Sequence, residues 1–418
     1  MTTDQNYQQI YRVGGMLDAG FVGQITYTIS LDQVYDELDI HFSFDKRLYS
    51  ESDVTPELID RLQTLCTAKY DAPTYPVEEF RQTILHEMKT EIHTMAELND
   101  NFIGCIHRQL TDRHMLYTKE FTSDGCLAQD TFSGVLKVTV LVFNVLLDNT
   151  QYTLTVSGHP VGQGVIAPNF NLMDTVKTAA GNTGASNDAG SADNSCEAES
   201  VPASAVAMAG SSGVSGAGSA ATAGDSSTTG SSSAGNTVTA STRFKRLELH
   251  NHTIESDGSL TCQELTEYLA ADHVDAFAIT DHNTTSGQKK IEQLLEEKHY
   301  PISLIRGMEY TTYFGHILCL NLAKYVPWNS IDQHRPELLF EAAREKGALV
   351  GIAHPFSYGD PFARGCRFEM TISDYSKVDF IEIFNNPEPL HEVNERGTNL
   401  WMSLIFSGYQ ITATSGMD

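Results

Sequence analysis

Cysteine is sparse and unpaired in this chain of 418 residues: Cys66, Cys105, Cys126, Cys196, Cys262, Cys319 and Cys366, with no CxxC among them. An odd, scattered set argues against a disulfide framework and reads as reduced thiols in a cytoplasmic protein. Long apolar runs are missing too. Nothing approaches the about 18–20 residues that span a bilayer, and the opening MTTDQNYQQIYRVGG has no basic segment leading into an apolar one, so neither a membrane span nor a secretory signal is expected. Positive charge is short. Lys and Arg number 27 against 54 Asp and Glu, a formal charge of −27, which repels polyanions and excludes an extended nucleic acid or an anionic membrane as a natural partner. Finally, residues 179–242 are nearly devoid of aromatic and branched aliphatic side chains, as in GSSGVSGAGSAATAGDSSTTG. Such a segment cannot bury enough apolar surface to offset its ordering entropy, so a disordered Gly/Ala/Ser/Thr linker is expected there.

The linker divides the chain into a region 1–178 and a region 243–418. In the first, ELDIHFSF places Leu38, Ile40, Phe42 and Phe44 on one face of a strand. GVLKVTVLVFNVLL and QYTLTV flank DNT and read as a hairpin. TPELIDRLQTLC offers Thr55 as N-cap and Pro56 at the first helical position, with Leu58, Ile59, Leu62, Leu65 and Cys66 on one stripe. Phe80, Ile84 and Met88 favour a further helix within 76–98. These signals predict a β-rich, sandwich-like accessory domain with one or two helices. Its histidines, His86, His93, His107 and His114, read as ordinary solvated or core residues.

From Phe244 onward, short apolar strands alternate with helical patterns, the mark of a parallel βα architecture. TCQELTEYL carries a Thr261/Glu264 capping box, and RPELLFEAAREKG starts at Pro336, turns Leu338, Leu339, Ala342 and Ala343 inward and stops at Gly347. Each apolar run meets residues able to bind a metal or orient a ligand: His250 and His252 in RLELHNH, Asp281 and His282 after AFAIT, Glu309 in ISLIRGME, His316 opening HILCL, His354 after ALVGIA, Asn385 ending VDFIEIFN, and Asp418 after QITATSGM. In a parallel barrel these strand ends share one rim. An HxH at a strand end sends both imidazoles to one face, and imidazoles with carboxylates suit borderline divalent metals such as zinc, manganese or iron. Asp257, in SDG, and Asp281 read individually as turn-forming carboxylates.

The ordered set LHNHTIESDG, AITDHN, GMEYTTYFGHILCL, GIAHPF and TSGMD resembles the successive motifs of the PHP superfamily, named for polymerase and histidinol phosphatase domains, and within it the stand-alone branch that includes carbaryl-hydrolase-like proteins. The resemblance covers roughly 243–418. It implies a distorted seven-stranded (β/α) barrel holding two or three divalent metals, preceded by a β-sandwich domain. By position, His250, His252, Glu309 and Asp418 would surround one metal, Glu309 would bridge to a second held by His316 and His354, and Asp257 and His282 would serve a third. The family's last motif continues to a histidine two residues beyond the aspartate, so the region reads as C-terminally truncated.

The expected chemistry is metal-dependent hydrolysis of a small phosphoester or nucleotide by a metal-bridging hydroxide, with no protein nucleophile. His316 or His354 could protonate the leaving group, while Arg306, Arg364 or Arg367 could clamp a phosphate. The same metals would serve a carbamate or carboxylic ester hydrolase, and a catalytically inactive metal-binding or interaction protein is the alternative from another class.

Overall fold

The computed structural model describes residues 7–70, 74–162, 244–332, 334–385 and 390–418. The predicted linker, 179–242, lies outside the described residues.

The alternation in ELDIHFSF belongs to the second half of a 22-residue strand that organises the N-terminal part. Its elements are β1 (Gln8–Leu17), β2 (Gly23–Phe44), α1 (Pro56–Tyr70), α2 (Val77–Glu87), β3 (Glu91–Leu98), β4 (Asn101–Ile106), β5 (Asp112–Tyr117), β6 (Phe132–Asn144) and β7 (Thr150–Pro160). The strands form one continuous sheet in the order β1-β7-β2-β6-β3-β4, with β5 also on β2. The first half of β2 pairs with β6. After a register shift between Leu31 and Tyr35, the second half pairs with β7 and β5. Both halves feed a single core containing Ile29, Leu38, Ile40, Phe42, Val138, Val140, Leu154 and Val156. One sheet handed over along a long strand thus stands where two separate sheets were expected.

Three local expectations change. β6 and β7 flank the DNT segment but are not partners, because β2 runs between them. Val145 and Leu146, which a tight turn would expose, are instead drawn into two different cores. Thr55 does cap α1, its Oγ1 accepting from the Leu58 N–H at 3.3 Å; Ile59, Leu62 and Cys66 are buried, but Leu65 faces out. The helical stripe through Phe80 and Ile84 ends at Glu87, and from Glu91 the chain is strand.

The C-terminal part comprises β8 (Leu247–Glu248), α3 (Cys262–Ala271), β9 (Ala276–Ile279), α4 (Ser286–Lys298), β10 (Ser303–Thr312), β11 (Gly315–Leu320), α5 (Glu337–Glu345), β12 (Leu349–Ile352), β13 (Phe380–Asn385), α6 (Glu392–Phe406) and β14 (Thr412–Gly416). Its seven strands lie in sequence order from β8 to β14. The capping box at Thr261 and Glu264 starts α3. In α5, Leu339 and Ala343 are buried, whereas Leu338 is exposed, a correction to the predicted face. Most neighbouring strands are parallel, but β11 is antiparallel to both β10 and β12 because a tight link joins Thr312 to Gly315. The sheet curls until its ends approach: the Asp418 N–H donates to the His250 carbonyl at 3.1 Å. The described residues are therefore mixed α/β with two sheets, one of them nearly barrel-shaped.

Both parts belong to one compact unit. β3, β4 and β6 are covered on two sides. Ile92, Ala96, Val138 and Val140 face the first core, while Met95, Cys105, Leu141 and Phe143 join Met308, Tyr310, Cys319 and Trp328 of the C-terminal part in a second. Double burial explains why GVLKVTVLVF reads as a nearly unbroken apolar run. The described cysteines, Cys66, Cys105, Cys126, Cys262, Cys319 and Cys366, are all free. Among the described residues no helix is long and apolar enough to cross a membrane.

Candidate metal centre

Glu309 lies inside β10, fully buried, where an apolar run would ordinarily carry a hydrophobe. Parallel strand ends and the reversed start of β11 bring five imidazoles to it. Oε2 lies 3.1 Å from His250 Nε2, 3.2 Å from His252 Nε2 and 3.0 Å from His282 Nδ1. Oε1 lies 2.9 Å from His316 Nδ1 and 3.0 Å from His354 Nε2. Asp418 Oδ1 closes the ring of donors at 2.8 Å from His252 Nε2 and 3.2 Å from His250 Nε2. His316 reaches this rim because its strand is antiparallel, so the residue that opens β11 sits where the parallel strands end.

The distances are short, yet Oε2 of Glu309 has no hydrogen bond of acceptable geometry, and neither has the buried His316 Nε2. His250 and His252 also bring their Nε2 atoms within 3.1 Å of each other. Other atoms of the cluster do bond to one another, His252 Nε2 with Asp418 Oδ1 and both His316 Nδ1 and His354 Nε2 with Glu309 Oε1. It is the two orphaned atoms, buried among so many ligand-type donors, that fit a position meant for a cation. The far sides of the rings are tied down. His354 Nδ1 donates to the Cys366 carbonyl at 3.1 Å, which leaves Nε2 as the lone pair facing Glu309. His250 Nδ1 is 3.0 Å from Glu382 Oε1, and Oε2 of the same carboxylate accepts from the His354 N–H at 3.0 Å and from Asn385 Nδ2 at 3.1 Å. Such outer carboxylates orient ligating imidazoles and raise their basicity. His354 is held at a φ of +24°, a strained backbone for a residue with a side chain. A glycine is needed at 416, against His250: a Cβ on Gly416 would lie 2.3 Å from the Cβ of His250 and 2.5 Å from Glu382 Oε1.

The electrostatics are those of a coupled cluster. Burial works to raise the Glu309 pKa, but His250, His316 and His282 overcome it and hold the carboxyl well below its usual range. Burial disfavours charge on His252, and the carboxylates of Asp418 and Glu309 nonetheless lift it to about 10. His354, also buried, is lifted to about 9 by Glu309 and Asp418. The set of imidazole and carboxylate donors therefore fits borderline divalent cations, zinc, manganese or iron among them.

Other predicted site residues fall around this centre. Asp257 Oδ1 is 3.7 Å from His282 Nε2, so the two are neighbours as expected. Asp281 is a turn organiser, accepting from the Thr253 N–H and Oγ1 and from Ser256 Oγ at 2.7, 2.9 and 2.7 Å. Arg364 pairs with Asp360 at 2.8 Å, and Arg306 pairs with Glu292 at 2.5 Å. Arg367 lies over the rings of Tyr70 and Phe356, at 5.2 and 5.5 Å.

Two contributions were not foreseen. Glu382 was passed over, although a buried acid inside FIEIF is an anomaly that invites explanation. His107, read as an ordinary histidine, comes from the N-terminal part, lies 3.5 Å from Asp257 and stacks on His282 with centroids 4.1 Å apart. Burial and the neighbouring His93 push it down to about 4, and burial with Arg113 and His282 nearby pushes His93 well below its ordinary value. A signal existed: Glu91 and His93 stand two apart in a strand, the spacing that singled out His250 and His252. His114 behaves as expected, pairing with Asp39 at 2.9 Å and stacking on His41.

Comparison with known proteins gives partial likenesses. Residues 7–160 match a family of unknown function, DUF6669. The chain is similar to the uncharacterized protein MJ1587 of Methanocaldococcus jannaschii, 30% identical over 112 residues, covering 27% of this chain and 58% of that one. It is also similar to a 5'-3' exoribonuclease of Haemophilus influenzae, 36% identical over 141 residues, covering 32% of this chain and 50% of the relative. The chain thus spans about half the length of these relatives. Among solved structures it is similar to a two-domain protein from Bacteroides vulgatus described as containing a predicted PHP-like metal-dependent phosphoesterase, with a TM-score of 0.31, 19% identity and coverage of 41% and 52% of the two chains.

Proposed function

We propose that this chain is a metal-dependent hydrolase of the PHP superfamily, in its carbaryl-hydrolase-like stand-alone branch, acting on a small phosphoester or nucleotide. The observation that carries the reading is Glu309: a fully buried carboxylate encircled by imidazoles, with an oxygen that none of them satisfies by a hydrogen bond. The partial likeness to an exoribonuclease supports a phosphoester as the bond. The charge of −27 favours a small substrate or one exposed end over an extended strand.

Divalent metals held here would supply Lewis acidity and bring the pKa of a bound water toward neutrality. The chain's own residues do the rest. His250, His252, Glu309 and Asp418 form one group of donors, His282, Glu309 and His316 another, and Glu309 belongs to both, which suits it to bridge. Glu382 fixes His250 and the backbone at His354. His316 and His354 both face Glu309, and whichever of the two is not committed to a metal would protonate the leaving group. Arg364 would have to exchange its Asp360 partner for the substrate, so it acts, if a phosphate binds beside that loop, as a secondary clamp.

The test is elemental analysis of purified protein alongside Glu309→Gln, followed by phosphomonoesterase, phosphodiesterase and carboxylesterase assays on the same samples. Bound transition metal and phosphoester turnover lost together in the variant support the reading. Normal metal content in Glu309→Gln removes the bridging role, and ester or carbamate turnover without phosphoester turnover moves the substrate class.

A further inference from the structure

A second group of ligand-type side chains lies in the N-terminal sheet. Glu91 and His93 stand on the same face of β3, and His107 follows β4 directly. Because Thr94 is opposite Ile106 in this antiparallel pair, the next step brings His107 beside His93. The two rings are 4.0 Å apart, and His93 Nε2 is 3.2 Å from Glu91 Oε1. All three residues are buried. Both ring nitrogens of His93 and Nδ1 of His107 have no hydrogen-bond partner, and one donor atom from each of the three residues lies within 4.8 Å of the others.

Core packing alone does not account for this. The face in question is otherwise Met95, Cys105 and Phe143, the last only 4.6 Å from the His93 ring, and a hydrophobe would fill either position without stranding polar atoms. Buried nitrogens lacking partners call for a ligand of their own. Two imidazoles and a carboxylate are a donor set for a borderline divalent ion. The nearby buried Arg113 lies over the rings of Phe42 and Phe44, at 5.2 and 5.8 Å, and has no lone pair to contribute.

We propose that Glu91, His93 and His107 bind a divalent transition metal of the zinc type, in a site that belongs to the N-terminal sheet and shares no ligand with Glu309. It abuts the rim, since His107 stacks on His282 and lies 3.5 Å from Asp257. A cation held there would fix the edge of the N-terminal sheet against the side of the centre formed by Asp257 and His282.

Anomalous diffraction at the zinc edge, from crystals of the full chain grown with zinc, reads the site directly. A peak between the Glu91 carboxylate and the rings of His93 and His107 is expected; a map without one overturns the proposal, whatever the peaks around Glu309 show about the hydrolase reading. In solution, His93→Gln and Glu91→Gln should each lose one bound zinc while retaining metal at the Glu309 cluster. Folded variants with undiminished zinc would contradict the site, and if neither variant folds the anomalous map still decides.

Discussion

At the scale of single residues, the arrangement around Glu309 depends on side chains that lie outside the ring of donors themselves. Glu382 aligns His250 through Nδ1 and His354 through its backbone N–H. Glu382→Gln keeps the shape but weakens both interactions, and loss of such outer partners typically lowers metal affinity by about 10–100-fold. Zinc titration against a competing chelator should show that decrease with little change in thermal stability; unchanged affinity would mean that the rings are held by packing alone. Gly416→Ala should be as damaging by a different route, because its methyl group would fall on His250 and Glu382. Metal uptake should also depend on pH in a defined direction. In metal-free protein, His252 and His354 are lifted to about 10 and about 9, so they carry protons at pH 7. Those protons must leave before the nitrogens ligate. Adding zinc to unbuffered apoprotein at pH 7 should therefore release protons, and apparent affinity should climb with pH to about 10, where His252, the higher of the two, is half deprotonated. Uptake with no proton release would show that the apo rings are already neutral.

Among elements, readability from the sequence followed period and caps. The capping box at Thr261 and the Pro56 start worked because capping is local chemistry, satisfied within a few residues. The direction of β11 was not readable in the same way: HILCL looks alike run either way, and only its short link to β10 makes it antiparallel. The DNT hairpin failed for a related reason, since pairing of β6 and β7 is decided by the distant β2, which takes an edge of each. The rim residues were readable because metal-binding types recurred at strand after strand, whereas Glu91, His93 and His107 became notable only when folding placed their sheet against the rim. Gly125 shows how that placement is secured. Its N–H donates to Glu255 at 3.0 Å, its carbonyl accepts from Thr284 Oγ1 at 2.8 Å and from the Cys105 N–H at 3.0 Å, and its φ is +80°. A Cβ would lie 2.3 Å from the Cys105 carbonyl oxygen. Gly125→Ala should thus cost about 1–3 kcal/mol from backbone strain alone, with the clash added, and a lowered denaturant midpoint would show it. A midpoint equal to that of the parent would mean that the loop simply moves away.

For the whole molecule, the question is whether the barrel-like part is self-sufficient. Met95, Phe102, Cys105, Leu141 and Phe143 of the N-terminal part share a core with Met308, Tyr310, Trp328 and Phe340, and Phe102 stacks on Tyr325 with centroids 4.0 Å apart. At about 1.5–3 kcal/mol for each large apolar side chain removed from water, that face contributes on the order of 10 kcal/mol, comparable with the about 5–15 kcal/mol net stability of a folded domain. Hydrogen bonds such as Tyr313 to the Gly23 carbonyl at 2.8 Å and Tyr70 to the Asp360 carbonyl at 2.5 Å add to it. A fragment of residues 244–418 should therefore expose an apolar face, bind a hydrophobic dye and melt without a sharp transition, even though the residues around Glu309 are all present in it. Co-expression with residues 1–162 should restore cooperative melting and metal retention, because the missing surface is supplied without a covalent link. If the isolated fragment melts sharply and binds metal as the full chain does, the shared core is an ordinary contact between independent folds; if it does so only with its partner, the N-terminal sheet is a structural wall of the metal centre.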